Sequence, residues 1–107
     1  MRKTLLTILP LLLIVGCELK NGIYSDFYSN GQKSFEKNFS NGVEDGKWTH
    51  WDEGGVLKIK GNYKDGVENG NWVYFYSNGQ KFLKITYKDG KLIESKKWDR
   101  DGNLIED

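Results

Sequence analysis

Residues 70–79 read Gly-Asn-Trp-Val-Tyr-Phe-Tyr-Ser-Asn-Gly and carry the strongest structural signal in the chain. The five residues from Trp72 to Tyr76 are all aromatic or β-branched, which favours an extended strand. Asn78-Gly79 then supplies a hairpin dipeptide, because a tight turn that matches strand twist needs positive φ, and Asn and Gly adopt it at least cost. The stretch therefore predicts a strand that ends in a hairpin turn.

The same pattern recurs with a period of about 24 residues. Segments 27–31, 51–55 and 98–102 align with 75–79, and their final glycines are predicted structural turns: Gly31, Gly55, Gly79 and Gly102. A second link, Gly42 to Gly46, recurs at 66–70 and predicts a polar loop between two glycines. Gly90 lacks the second glycine, so the last unit is interpreted as a cap.

The fold class predicted is all-β, an antiparallel meander of about three to four 24-residue β-hairpin repeats, preceded by a signal-peptide helix. Thirteen Gly, one Pro and 14% aromatic residues agree with strands and tight turns. One hairpin alone cannot bury its face, so aromatic residues of neighbouring repeats must stack. Strands are predicted near 23–28, 33–39, 47–52, 57–63, 71–76, 81–87, 92–98 and 103–106.

The first 16 residues are predicted to be a secretory signal peptide. Arg2 and Lys3 give a basic start, an apolar run extends from Leu5 to Val15, and the small Gly16 precedes the cut. A retained membrane-spanning anchor is the alternative, but the run is about half of the ~20 residues that a span needs. The predicted organisation is a signal peptide at 1–16, a lipidated N-terminus and short tether at 17–21, and a repeat domain at 22–107.

Residues 14–17, Ile-Val-Gly-Cys, resemble the lipobox of bacterial lipoproteins. The resemblance implies cleavage before Cys17, a diacylglyceryl group on its sulfur and an acyl chain such as palmitate on the new amino terminus. Two or more acyl chains hold a protein durably on a membrane. The implied location is the cell membrane or outer membrane, lipid-anchored and facing the periplasm or exterior. The alternative is an incidental cysteine at the end of a signal sequence.

Charge along the chain argues against a polyanionic partner. Without Arg2 and Lys3 the sequence has 14 basic and 15 acidic side chains, and the lysines alternate with acids, as in Lys64-Asp65. No basic block is present of the kind that follows phosphates, so we expect a solvated surface and no nucleic acid partner.

Catalytic and metal sites are not indicated, and the chain is predicted to be no enzyme and to need no cofactor or metal. His50 is the only histidine, and no Ser-His-Asp or phosphate-loop pattern accompanies it. Asp52 and Glu53 are adjacent in a strand and turn, which does not suit a glycosidase pair. Glu44-Asp45 lacks the alternating oxygen ligands of a calcium loop.

Aromatic rows are the one candidate for a binding surface. They fall on both faces of their strands, so one face can pack while the other stays open to a sugar or a protein partner. The alternative is that each ring only stacks on its repeat neighbour. The candidate residues are Trp48, Trp51, Trp72, Tyr74, Phe75 and Tyr76.

The repeat pattern resembles the variant MORN repeats of bacterial proteins, including an antitoxin-like group. It runs aromatic-x-x-Asn-Gly-Gln, about eleven residues, then Gly-x-x-x-Gly-x-Trp, and covers residues 22 to about 102. Such repeats serve as scaffolds, partner-binding surfaces and membrane contacts. Residues 70–79 also resemble the core of choline- and glucan-binding repeats, but the period here is longer.

The function expected is therefore a lipid-anchored cell-envelope protein that acts as a non-catalytic protein-binding or scaffold module. Its partners would be the membrane, through Cys17, and an unidentified protein. Two alternatives remain: a cell-wall polysaccharide or choline binder that uses the aromatic rows, and an antitoxin-like inhibitor of a partner toxin.

Overall fold

The protein is described by a computed structural model over residues 19–105, and every regular element in that range is a β-strand. The predicted signal-peptide helix, Cys17 and the last two residues lie outside the described residues. The strands are β1 (Gly22–Phe27), β2 (Lys33–Ser40), β3 (Val43–Trp51), β4 (Leu57–Lys64), β5 (Val67–Glu68), β6 (Gly70–Phe75), β7 (Lys81–Lys88), β8 (Lys91–Trp98) and β9 (Leu104–Ile105).

These strands form one antiparallel sheet in which neighbours in the chain are neighbours in space. The single departure is β5, a two-residue strand that pairs only with β4 before the chain continues into β6. Close approaches between residues accordingly concentrate between strands that are neighbours in the sheet. The all-β antiparallel meander predicted from the repeat is confirmed.

The links that return the chain from one repeat to the next are two-residue turns, and the expectation of a polar loop from Gly42 to Gly46 was wrong. Asn41 and Gly42 both have positive φ, 51° and 86°, and Ser40 pairs directly with Val43. This is the geometry of a tight turn whose twist matches the strands. We call these the return turns: Asn41-Gly42, Asp65-Gly66 and Asp89-Gly90.

The turns at the other edge have three-residue loops, which corrects the prediction of tight dipeptides there. Gly31 N–H donates to the Tyr28 carbonyl at 3.0 Å, and Tyr28 N–H donates to the Gln32 carbonyl at 2.8 Å. Only the glycine of each loop has positive φ, and Asn30 does not. A type I turn followed by a left-handed glycine gives this geometry. We call these the hairpin turns, and their glycines are Gly31, Gly55, Gly79 and Gly102.

Hairpin turns are hydrogen-bonded to each other in pairs. The Tyr28 hydroxyl donates to the Trp51 carbonyl at 2.8 Å, and Asn30 Nδ2 donates to the Glu53 carbonyl at 3.0 Å. The third and fourth turns repeat this through Tyr76 and Asn78. The 24-residue period therefore carries an alternation in which a donor turn precedes an acceptor turn.

Acceptor turns begin with an aspartate that organises its own loop. Asp52 Oδ1 accepts from the N–H groups of Gly54 and Val56, and Asp99 Oδ1 accepts from those of Asp101 and Asn103. The backbone hydrogen bond from Asn103 is the largest of the effects that hold the pKa of Asp99 below its usual value.

Trp72 is the centre of the fold and is only 4% exposed. Its ring packs against Gly61, whose missing side chain leaves the space for the indole. The indole Nε1–H donates to the Asn62 carbonyl at 3.0 Å. The rings of Trp48, Tyr63 and Tyr87 surround it, with centroids at 5.5, 5.0 and 6.5 Å.

Substitution of Gly61 by alanine tests this contact. The new Cβ would overlap the Trp72 ring, and we expect the free energy of unfolding to fall by about 2 kcal/mol or more, because an overpacked site must move its neighbours. Urea unfolding followed by tryptophan fluorescence measures the change. Gly54→Ala is the control, since its Cβ meets only Asp52 Oδ1 at 3.4 Å. Equal losses for the two variants would contradict the central role of the Gly61–Trp72 contact.

Candidate functional site

The two faces of the sheet divide the six aromatic residues singled out from the sequence. Strand alternation and ring contacts place four of them on one side, Trp48, Trp72, Tyr74 and Tyr76, which we call the aromatic face. Trp51 and Phe75 lie on the opposite side, where Trp51 pairs with Leu57 and Phe75 with Lys81. We call this side the grooved face.

Rings on the aromatic face are engaged with one another. Phe82 lies 6.0 Å from Tyr74 and 5.1 Å from Tyr76 between ring centroids, and the Tyr76 hydroxyl is used by the neighbouring hairpin turn. At the first repeat, Tyr24 packs edge-on against Phe39 at 5.5 Å. Stacking between strands therefore occupies most of the aromatic side chains of this face.

The grooved face carries an open groove of about 780 Å³ across β3, β4, β6 and β7. Its floor is apolar and is formed by Leu57, Val73 and Phe75, with the buried Val73 at the centre. Hydroxyl and amide side chains line it further, from Thr49, Asn62 and Asn71. The charged lining residues are Lys47, Lys60, Lys81 and Lys84.

The groove is uniformly cationic, because four lysines line it and no carboxylate does. Between residues 19 and 105, ion pairs within 4.0 Å join only Lys33 to Glu36 and Lys37 to Glu44. The groove lysines thus have no acidic partner in the described part of the chain. Lys81 instead lies 4.8 Å above the ring of Trp98, a cation–π contact that extends the groove toward β8.

Pairing between strands creates this charge cluster. Val73 pairs with Lys60 on one side and with Lys84 on the other, so the two lysines flank one floor residue. The acids next to lysines in the sequence, Asp65 and Asp89, lie in return turns at the sheet edge. The groove lining therefore differs from the evenly mixed, solvated surface expected from the sequence, while acids of the same face, Glu36 paired with Thr49 and Glu94 paired with Thr86, lie outside the lining. The 24-residue spacing of Lys60 and Lys84 was the signal in the sequence that pointed to this charge cluster.

Groups considered for chemistry lie apart from the groove. His50 is on the aromatic face, stacked on Trp48, and its Nδ1 is 2.9 Å from the Ser34 carbonyl oxygen. Over residues 19–105, no three His, Cys, Asp or Glu side chains are placed to share a metal ion. The same range contains no helix of the length and hydropathy that crossing a membrane requires.

Comparison with known proteins identifies the repeat. The pattern of the MORN repeat variant family matches three segments, residues 20–41, 44–65 and 68–89, which together are more than half of the chain. Each segment ends at the first residue of a return turn, so the matched unit corresponds to one hairpin of the sheet. No curated protein and no solved structure matches the chain.

The aromatic face should make stability fall at alkaline pH. Burial, followed by nearby Glu68, raises the pKa of Tyr63, and burial, followed by Tyr87, raises that of Tyr74. The unfolded chain therefore loses these protons first, so the free energy of unfolding falls as pH rises above 10.0 toward the folded pKa values. Urea unfolding at about pH 9 and about pH 11 measures the slope.

Tyr63→Phe and Tyr74→Phe should each flatten this pH dependence, because phenylalanine has no phenol proton to lose. An unchanged slope in both variants would show that ionisation of other groups causes the alkaline loss.

Proposed function

The chain belongs to the MORN repeat variant family, and we propose that it is a lipid-anchored, non-catalytic module that holds a protein partner at the cell envelope. MORN repeats are generally protein- or membrane-binding modules. In this chain the division between the two faces supports the protein-binding role. On the aromatic face the rings contact one another and stabilise the sheet, and the grooved face presents a preformed groove.

The groove is the observation that carries the proposal. It combines an apolar floor with polar groups at its sides, which is the usual composition of a recognition site. Lysine and amide side chains bind and orient a partner, and Phe75 offers an aromatic anchor of the kind that dominates binding energy at interfaces. The residues that line the groove include no carboxylate to serve as a general base.

The way in which the chain enters the sheet supports the anchor. The Lys20 carbonyl accepts from Gly42 N–H at 2.9 Å, and Asn21 Oδ1 accepts from Asn41 N–H at 3.0 Å. The chain is therefore hydrogen-bonded to the first return turn from Lys20 onward, three residues after Cys17, and a lipid on that cysteine would hold the return-turn edge near the bilayer.

Exposed aliphatic side chains continue along the same edge. Leu19, Val43 and Val67 are 61%, 45% and 43% exposed, and each lies beside the glycine of the following return turn. A membrane surface close to this edge would shield them from water, which favours the proposed orientation.

Expression in a bacterium with the native leader tests the anchor. We expect a membrane-bound species that lacks residues 1–16 and carries the mass of acyl chains on Cys17, because diacylated cysteine holds a protein on the bilayer. Intact-mass spectrometry of membrane and soluble fractions measures this. The Cys17→Ser variant should carry no acyl chains, and its membrane fraction should contain no acylated species. Wild-type protein that is soluble and uncut would instead favour a cytosolic, antitoxin-like role.

Site-specific photocrosslinking tests the binding face. Phe75 and Tyr74 are neighbours whose side chains point to opposite faces, so a benzoylphenylalanine at each position differs only in the face it reports. We expect a discrete protein adduct from position 75 in the envelope of the native host and none from position 74. Immunoblotting detects the adduct. Equal adducts at both positions, or a wall-polysaccharide adduct at 75 in place of a protein, would refute this use of the groove.

A further inference from the structure

We propose that the groove binds an extended, acidic segment of the partner protein, with an aliphatic side chain seated on Val73 between carboxylates that pair with Lys60 and Lys84. This inference rests on the proposed function, since it names the chemistry of the partner at that site. It follows from the charge, the spacing and the floor of the groove.

The charge of the groove favours an anionic ligand. Four ammonium groups line one open groove with no carboxylate among its lining residues. Gathering like charges on one face costs free energy in the isolated protein, and a ligand of opposite charge removes that cost while gaining attraction. The ligand that suits the groove is therefore anionic, even though the chain as a whole is nearly neutral.

The separation of Lys60 and Lys84 can be compared with the spacing of side chains in an extended peptide. Lys60 and Lys84 are on β4 and β7, with Val73 of β6 paired to both. Neighbouring strands are about 4.8 Å apart, so the two lysine backbones are separated by roughly 10 Å. An extended chain rises about 3.3 Å per residue and its side chains alternate between two faces, so the carboxylates on the same side as the aliphatic residue lie two positions before and two positions after it. These carboxylates are roughly 13 Å apart, which the long lysine side chains can reach. The groove crosses four strands and has room for about five residues of extended chain.

The floor of the groove favours a peptide over other polyanions. Leu57 and Val73 are aliphatic and Phe75 is the only ring among the lining residues. Binding of single-stranded nucleic acid relies on successive open rings that stack on bases. The rings that flank the groove, Trp51 and Trp98, each have a lysine ammonium over them, at 5.9 and 4.8 Å, so only Phe75 is presented in the groove. Asn62 Nδ2 donates to the Tyr63 carbonyl and Asn71 Oδ1 accepts from the Thr86 hydroxyl. Asn62 Oδ1 and Asn71 Nδ2 are then an acceptor and a donor that match the backbone amides of an extended peptide.

A direct titration tests the inference on the full chain, expressed with its own leader and purified in detergent micelles. The probe is fluorescein-labelled Asp-Glu-Leu-Asp-Glu, followed by fluorescence anisotropy. Lys60→Glu/Lys84→Glu should weaken binding by at least about tenfold, because close charge pairs contribute several-fold to affinity. Lys64→Glu/Lys88→Glu is the matched control, on the same two strands with the same charge change but outside the groove lining, and it should retain most of the affinity.

A second pair of variants separates a loss of binding from a loss of folding, and two further probes test whether the groove selects an acidic peptide. Lys60→Gln/Lys84→Gln removes the two charges without adding new ones and should also weaken binding, with an unfolding midpoint like that of the wild type. The peptide Lys-Lys-Leu-Lys-Lys should not bind. Equal weakening by the groove and control pairs, or binding of a five-nucleotide oligothymidylate as tight as that of the acidic peptide, would overturn the inference.

The peptide titration and the crosslinking experiment together distinguish a failure of this inference from a failure of the proposed function. If the acidic peptide fails to bind while position 75 still crosslinks to a protein, the chemistry named here is wrong and the protein-binding role stands. If neither the peptide nor the crosslink is observed, both proposals fail.

Discussion

The contact of Trp72 with Gly61 is the constraint on which the rest of the structure depends. A one-layer sheet has no second sheet or helix to cover it, so it must bury its apolar surface within its own thickness. Only Ser34, Trp72 and Val73 are buried among the described residues, and the indole reaches its position because Gly61 leaves the strand below it bare. Stability is therefore concentrated in one cross-strand cluster rather than spread through a core.

This solution explains the separation of roles between the faces. Because the ring cluster around Trp72 packs on one side, the other side carries a short apolar floor, the rings of Trp51 and Phe75, and long cationic side chains. Val73 connects the two, since it is buried beneath the groove and adjacent in sequence to Trp72. The groove is built on the strand that carries the buried Trp72 and Val73, and a site that is already formed lowers the ordering cost of binding.

Much of the fold was predictable from local sequence. The period, the strand order and most strand bounds follow from Gly31, Gly55 and Gly79 and from the alternation of apolar residues between them. The turn types were not, because Asn30-Gly31 and Asn41-Gly42 are the same dipeptide in two geometries. The choice depends on the register of the flanking strands, in which β3 begins at Val43 instead of after a loop.

What the sequence alone determined is the repeat, the all-β meander and the set of aromatic residues, since turn chemistry and a period of two are local properties. Which ring is buried, which face is open and where the charges gather were decided only by the tertiary structure. Lys60 and Lys84 are 24 residues apart and become neighbours of Val73 through pairing, while Asp65 and Asp89 move to the edge. The register of the strands decides which residues become cross-strand neighbours, and these residues are far apart in the sequence. The order of charges along the sequence alone therefore does not show which charges will lie together.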